Sequence, residues 1–376
     1  SFPTRRSSDL VDRAVAVARE ASTRWRATPA PERRRLLHAV ADVMERCRPE
    51  IVAAMAFDGG KTVREADPEV SEAIDFARYY GDSALDLERP AAAFEPYGVT
   101  AVVPPWNFPL AIPAGGVFAA LAAGSAVILK PAHETALVGH TLAERCWEAG
   151  IPTDVLQYVL TTDHDTGRHL VTHPGVDAVI LTGSLATAER FRRWRPDLAL
   201  HAETSGKNAL VVTASADLDD AIRDLVRSAF GHAGQKCSAA SLAIVEASVL
   251  DGTRFLDRLT DAVRSLRVGP GPDPSTQVGP LIRPPEDPLH RALTRLDPGE
   301  SWLVEPRRLD HARLWSPGVK VGVVPGSHFH RTECFGPVLG GMEVRGVDEA
   351  NDVQNDVASG LTGGISSLDD VEVDHW

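Results

Sequence analysis

From Val99 onward, short runs of β-branched and aliphatic residues alternate with longer stretches of helical period, and no other feature restricts the fold as much. Thr100–Val103, Ala126–Leu129 and Ala178–Leu181 are apolar on both faces, with helical stretches such as Glu134–Glu148 between them. A strand apolar on both faces is covered on both. Covered strands separated by helices predict a parallel sheet with crossover helices, the usual support for a dinucleotide. A second series repeats this alternation, with strand Ala209–Val212, helix Leu218–Phe230, strand Leu242–Val245 and helix Gly252–Leu266. Ahead of both lies an all-helical lead-in from Val11 to about Ala84, with Leu36, Leu37, Val40, Val43 and Met44 at helical spacing and Pro31 suited to a first turn. The expected class is α/β in two domains: a lead-in and Rossmann-type nucleotide-binding domain over 11–201, and a second α/β domain over 202–376. A polar, proline-containing segment, Leu85–Pro96, interrupts the first domain and reads as a hairpin arm spanning about 83–97. The length of 376 residues is ample for two cores.

Ser1–Leu10 carries neither period and reads as a non-native scar (1–10), with the first helix starting at Val11. The chain stops at Trp376, soon after the apolar, glycine-rich run Gly360–Ile365, and a C-terminal truncation is expected there. Acidic residues outnumber basic ones, 52 to 39, and the two signs are interspersed, which argues against nucleic acid as a partner. No stretch approaches the roughly 20 consecutive apolar residues of a membrane-crossing helix. The four cysteines, Cys47, Cys146, Cys237 and Cys334, lack paired spacing, so no metal site and no disulfide framework is expected. A reducing, cytoplasmic compartment fits that usage.

The residues able to carry chemistry are few. Cys237 follows a helix end in the small-residue loop Gly231–Lys236, where Gly234 permits close backbone approach and Lys236 favours a thiolate. Glu203 stands near a strand end before a Ser205–Gly206 turn and could act as a base on water, although alone it reads better as a solvated loop acid. Asn107 sits in Pro104-Pro-Trp-Asn-Phe-Pro109, a loop pinned by prolines, Trp106 and Phe108; a pinned amide suits an oxyanion, and an asparagine turn is the plain alternative. Lys130 ends a strand at the carboxyl edge of the expected sheet, where nucleotides bind and where solvated lysines are also common. Thr182-Gly183-Ser184 follows another strand and opens a helix, offering amides and a hydroxyl to a pyrophosphate, while G-x-G-x-x-G is absent. Thr332-Glu333-Cys334-Phe335-Gly336-Pro337 is a second pinned turn that presents one carboxylate and one aromatic wall, with Cys334 read as packing.

Taken together and in order, the W-N-F-P loop, strand-end lysine, T-G-S turn, E-x-x-G-K segment, G-Q-x-C loop and E-x-F-G-P turn resemble the aldehyde dehydrogenase superfamily over Val11–Trp376. The resemblance implies NAD as cofactor, with NADP open, and a small-molecule aldehyde as substrate. It implies that Cys237 is the nucleophile, Asn107 the oxyanion donor with the Cys237 backbone N–H, and Glu203 the base that activates water on the thioester. Lys130 is then a ligand of the adenosine ribose, Gly183 and Ser184 bind pyrophosphate, Glu333 binds the nicotinamide ribose with Phe335 beside the ring, and Trp106 also lies on the cofactor side. Phe108 and Ser238 fall to the substrate, Ser238 toward its carboxylate. The phrases Ala202–Leu210, Ala229–Ala240 and Val278–Pro285 are most similar to the L-glutamate γ-semialdehyde dehydrogenase part of bacterial bifunctional proline-catabolic enzymes. That likeness implies a proline dehydrogenase domain in a parent protein and a homo-oligomer. Two departures stand out: His133 replaces the family's acidic ribose ligand, and Ala188 replaces the glycine that ends the T-G-S turn. The alternatives are an aldehyde dehydrogenase of other substrate range, or a nucleotide-binding fragment without turnover.

Overall fold

The computed structural model describes residues 7–87, 94–161 and 164–376. The chain divides into two compact units, Ser1–Gly59 with Val63–Thr204, and Gly60–Thr62 with Ser205–Trp376.

In the first unit, α1 (Ser7–Arg26), α2 (Ala30–Arg46), α3 (Arg48–Asp58) and α4 (Val63–Asp86) form the helical lead-in. Helix α1 begins before Val11, its expected start; Asp9 lies in the first turn, where a carboxylate complements the exposed amides of the helix end. The stripe read from the sequence is buried as expected, with Leu37, Val40 and Met44 fully enclosed. Helix α4 runs through Asp86, so 83–86 is helix and not the start of a hairpin arm; residues 88–93 of the expected arm lie outside the described residues.

Five strands follow: β1 (Val99–Val103), β2 (Ala126–Leu129), β3 (Leu156–Tyr158), β4 (Ala178–Gly183) and β5 (Ala199–Thr204). They form one parallel sheet in the order β3-β2-β1-β4-β5. Alternate side chains serve two cores. Val99, Ala101 and Val103 pack with Val15 of α1 and with Leu170 and Phe191, while Val102, Val127 and Leu129 pack with Phe118, Leu121 and the lead-in helices. Helices therefore cover both faces, which is why these strands read as continuous apolar runs. Strand β5 lacks such a run because His201, Ala202 and Glu203 are exposed along a sheet edge, and the sequence pattern did not reveal it. Its register pairs Ala202 with Leu181 and Glu203 with Thr182, so both residues belong to the first sheet and do not open the second domain.

The second unit holds β6 (Asn208–Val212), β7 (Ala240–Glu246), β8 (Ser301–Val304), β9 (Gly318–Val321), β10 (Val338–Val344) and β11 (Gly363–Ser366). Their order is β11-β6-β7-β10-β9-β8, parallel except where β8 meets β9. Gly60–Thr62 also belongs here. Gly60 has φ +68°, and Cβ atoms placed on Gly271 and Gly279 would lie 2.7 and 2.8 Å from its carbonyl oxygen, so backbone packs directly on backbone. Nothing local marks that tripeptide as part of a distant core.

Candidate active site

In the first unit, the candidate residues gather at the carboxyl edge of the parallel sheet. The loop after β1 carries Trp106, Asn107 and Phe108, Lys130 follows β2 directly, Gly183 ends β4 with Ser184 next, and Glu203 lies at the end of β5. The strand order reverses between β1 and β4, and the crevice at such a switch point is where open α/β sheets bind dinucleotides.

The loop bearing Asn107 is fixed from beneath. Glu69 of α4 is 2% exposed, and its Oε1 accepts hydrogen bonds from the amides of Leu110 (2.8 Å) and Ala111 (3.0 Å), at the start of helix α5 (Ala111–Ala123). A carboxylate is stabilised there by unpaired amides and by the helix dipole. Helix α5 is apolar around most of its circumference and packs closely on the sheet, with a Cβ on Gly116 only 3.0 Å from Val102 Cγ1. Asn107 is thereby 4% exposed, between half-buried Trp106 and Phe108. Sequence reasoning missed Glu69, whose one signal is an acid set among the apolar positions Ala66, Val70 and Ala73 of an amphipathic helix.

Lys130 is half-buried, donates to the Pro131 carbonyl at 3.1 Å, and has its pKa lowered by loss of water around the ammonium. Ser184 caps helix α8 (Leu185–Trp194), its Oγ accepting from the Thr187 amide at 3.2 Å. The exposed end of α8 thus presents amides and a hydroxyl at the crevice, a donor set that fits a pyrophosphate. Glu203 is exposed.

In the second unit, helix α9 (Leu218–Phe230) stops at Gly231, and the chain turns through three left-handed residues, His232 (φ 51°), Ala233 (φ 55°) and Gly234 (φ 68°). Two of these carry side chains, each at a cost on the order of 1 kcal/mol, so surrounding contacts must hold the turn. Gln235, 2% exposed, supplies several: Nε2 donates to the carbonyls of His232 (3.1 Å) and Pro280 (3.3 Å), and Oε1 accepts from the Ile282 amide (2.9 Å). A Cβ on Gly234 would fall 2.2 Å from the Gly336 carbonyl oxygen, so the cysteine loop lies against the Glu333–Pro337 turn. Here the glycine is required both by φ and by space. Burial and the nearby Lys61 and Lys236 charges hold the His232 pKa well below the ordinary histidine range, leaving it neutral.

Cys237 is half-buried at the mouth of this loop, and Ser238 is exposed. Asn208 at the start of β6 anchors the segment: Nδ2 donates to the carbonyls of Cys237 (2.6 Å) and Ala239 (3.2 Å), and Oδ1 accepts from the amides of Leu361 (2.9 Å) and Thr362 (3.0 Å). One buried amide side chain therefore ties three strand beginnings together with all its hydrogen-bonding capacity used. Asn208 was not singled out in the sequence, because an asparagine after Gly206-Lys207 reads as another turn residue. Glu333 accepts from Ser205 Oγ at 2.8 Å; burial raises its pKa, while the Ser205 bond and the Lys207 charge oppose the rise. Phe335 adopts φ 55° in that turn. Cys334 is 7% exposed, burial raises its pKa, and its Sγ donates to the Thr332 carbonyl, which agrees with a packing role.

The structure thus brings Cys237, Ser238, Glu333 and Phe335 together at the amino ends of β7 and β10, and Asn107, Lys130, Gly183, Ser184 and Glu203 along the carboxyl edge of the first sheet. None of the four cysteines is in a disulfide, and among the described residues no group of three or more His, Cys, Asp or Glu side chains could hold a metal. No described helix is long and apolar enough to cross a membrane.

Lys207, beneath Glu333, was also missed. It is 4% exposed, its ammonium lies 4.1 Å from the Phe329 ring centroid, and its Nζ has no hydrogen-bond partner among the described residues. Desolvation lowers its pKa to about 8. Below that pH the unfolded and folded lysines are both charged, and the burial penalty is complete. As pH rises from about 8 toward the ordinary lysine range, the folded side chain loses its proton first and the penalty fades. Stability should therefore increase over this window by on the order of 2 kcal/mol from Lys207. Urea unfolding at pH 7.5 and 9.5 checks this: Lys207→Met should lose that increment, and an unchanged increment would place the neutral lysine elsewhere.

The Aldehyde dehydrogenase family model matches residues 3–376. A 1-pyrroline-5-carboxylate dehydrogenase of Geobacillus thermodenitrificans is 35% identical over 384 residues, covering 96% of this chain and 74% of that protein. Among solved structures, Proline Utilization A (PutA) from Corynebacterium freiburgense has a TM-score of 0.93 at 50% identity, covering 98% of this chain and 38% of that one. A 1-pyrroline-5-carboxylate dehydrogenase from Thermus with bound NAD gives 0.90 at 32% identity, covering 98% of this chain and 75% of that one. The chain therefore spans less than half the length of the PutA chain, and about three quarters of the other two. With the motifs in order on both sheets and the match extending over almost every residue, the chain belongs to the aldehyde dehydrogenase family.

Proposed function

We propose that this protein oxidises L-glutamate γ-semialdehyde to L-glutamate with NAD(P), as a step of proline catabolism. The observation that carries the chemistry is the Cys237 loop, strained in backbone, seated on the Glu333 turn and tied down by Asn208 and Gln235. The 1-pyrroline-5-carboxylate dehydrogenases and PutA among its relatives support the substrate.

In this reading, the Cys237 thiolate attacks the aldehyde carbon, forming a carbon–sulfur bond while the carbonyl oxygen takes the negative charge. The Asn107 side-chain amide and the Cys237 backbone N–H stabilise that charge. The hydride on the former carbonyl carbon would then leave, bound NAD(P) supplying the two-electron acceptor that turns the adduct into a thioester on Cys237. Glu203 then takes a proton from water as the hydroxyl adds to the thioester, and the carbon–sulfur bond breaks to release the acid and regenerate the thiolate. Ser184 and the α8 amides would hold the cofactor pyrophosphate, Lys130 the adenosine ribose and Glu333 the nicotinamide ribose, with Phe335 and Trp106 on the cofactor side. Ser238 and Phe108 contact the substrate. The same reading places the enzyme in the cytoplasm, self-associated, and in a parent polypeptide with a proline dehydrogenase domain.

The test is product identity. Incubation with glutamate semialdehyde and NAD(P) should yield reduced cofactor and glutamate in equal amounts, with a kcat/KM at least about tenfold above that for an aliphatic aldehyde lacking the α-amino acid group. Equal use of the two aldehydes would overturn the assigned substrate while leaving the chemistry intact.

A further inference from the structure

A cavity in the first unit, of about 380 Å³, is lined by Lys130 and is large enough for part of a nucleotide. Its wall includes Lys130, His133, Thr187, Arg190, Phe191 and Trp194. Phe191 and Trp194 stack with ring centroids 5.6 Å apart and planes 23° from parallel, and the Arg168 guanidinium lies 5.7 Å from the Trp194 ring centroid. This is an aromatic wall suited to a purine. Arg190 and His133 are exposed to the cavity, and Arg190 has no ion-pair partner among the described residues. Glu189, its neighbour in sequence, is engaged by Arg193 at 3.6 Å and does not line the space.

The sign of the lining decides what the ribose can carry. A dinucleotide site that selects an unmodified ribose places a carboxylate on the 2′-hydroxyl, whereas one that takes a 2′-phosphate places an arginine there. No carboxylate is found among the described residues lining this cavity, and its ionisable groups are all basic: Lys130, Arg190 and His133. A 2′-phosphate brings nearly two negative charges and three acceptor oxygens, which a guanidinium can meet with paired hydrogen bonds. We propose that this pocket selects an adenine dinucleotide bearing a 2′-phosphate, with Arg190 and His133 as the groups that receive the phosphate. The proposal rests on reading the first unit as the dinucleotide-binding domain and goes further by fixing which dinucleotide it prefers.

Calorimetric titration of the full chain with 2′,5′-ADP and 5′-ADP tests it without turnover. The expected result is that 2′,5′-ADP binds at least about tenfold more tightly at low salt, and that the advantage shrinks as salt is raised. Arg190→Ala should remove most of the advantage while 5′-ADP binding persists. His133→Glu should reverse the preference toward 5′-ADP. Both positions are exposed, and an unchanged circular dichroism spectrum separates these effects from misfolding. Equal binding of the two probes, or tighter binding of 5′-ADP, overturns the proposal and leaves the adenosine site standing. Binding of neither overturns the proposal together with the underlying assignment of the domain.

Discussion

Cys237→Ala should reduce aldehyde-dependent formation of reduced cofactor to background, a loss of about 10⁴-fold or more, as expected when a covalent nucleophile is removed. The fold should be indifferent to the change. Cys237 is half-buried, and the hydrogen bond that anchors its segment runs from Asn208 to its backbone carbonyl, which alanine retains. The unfolding free energy should therefore change by no more than about 1 kcal/mol, the centre of the range for single substitutions. Cys334→Ala provides the contrast. That thiol is buried in the core, its pKa is raised by burial, and its loss should cost stability rather than chemistry. Absorbance of reduced cofactor at saturating aldehyde reads the first effect and urea unfolding the second. If Cys237→Ala kept more than about a tenth of the activity, the nucleophile would have to be sought elsewhere.

Asn107→Ala should lower kcat by roughly 10² to 10³, with KM little changed, because an oxyanion donor acts on charge that exists only as the transition state is approached. The geometry on its own side of the chain supports a fixed donor. The loop runs from β1 into α5 between prolines, the first amides of α5 are held by the buried Glu69 carboxylate, and Asn107 is almost enclosed. Asn107→Asp keeps the shape and should fall at least as far, since it sets a negative charge against a developing one. Steady-state kinetics on both variants is the check. A large rise in KM with unchanged kcat would instead assign Asn107 to substrate binding in the ground state.

Legibility of the site followed the reach of the physical signal. Cys237, Glu333, Lys130 and Ser184 were visible because each sits in a glycine- or proline-marked junction between a strand and a helix, and local sequence reports such junctions directly. Glu69, Lys207 and Asn208 were not, because their importance comes from partners far along the chain: Leu110 and Ala111 for Glu69, Phe329 for Lys207, Leu361 and Thr362 for Asn208. A buried acid, lysine or amide has no local pattern distinguishing it from a solvated one. Strand β5 was missed for a related reason, since an exposed edge strand lacks the apolar run by which its neighbours were found.

The sequence by itself determined the class of fold, two α/β units behind a helical lead-in, and the glycine- and proline-marked junctions that carry the candidate residues, because hydrophobic period and turn chemistry are encoded locally. Tertiary structure decided the remainder. It assigned Gly60–Thr62 to the second unit, moved Ala202 and Glu203 onto the edge of the first sheet, and set the Cys237 loop against the Glu333 turn through a contact only glycine permits. It also collected Lys130, His133 and Arg190 around one cavity, so that three basic residues scattered in the sequence became a single electrostatic environment. These outcomes depend on which distant surfaces exclude water together, and that is a property of the packed chain rather than of any segment in it.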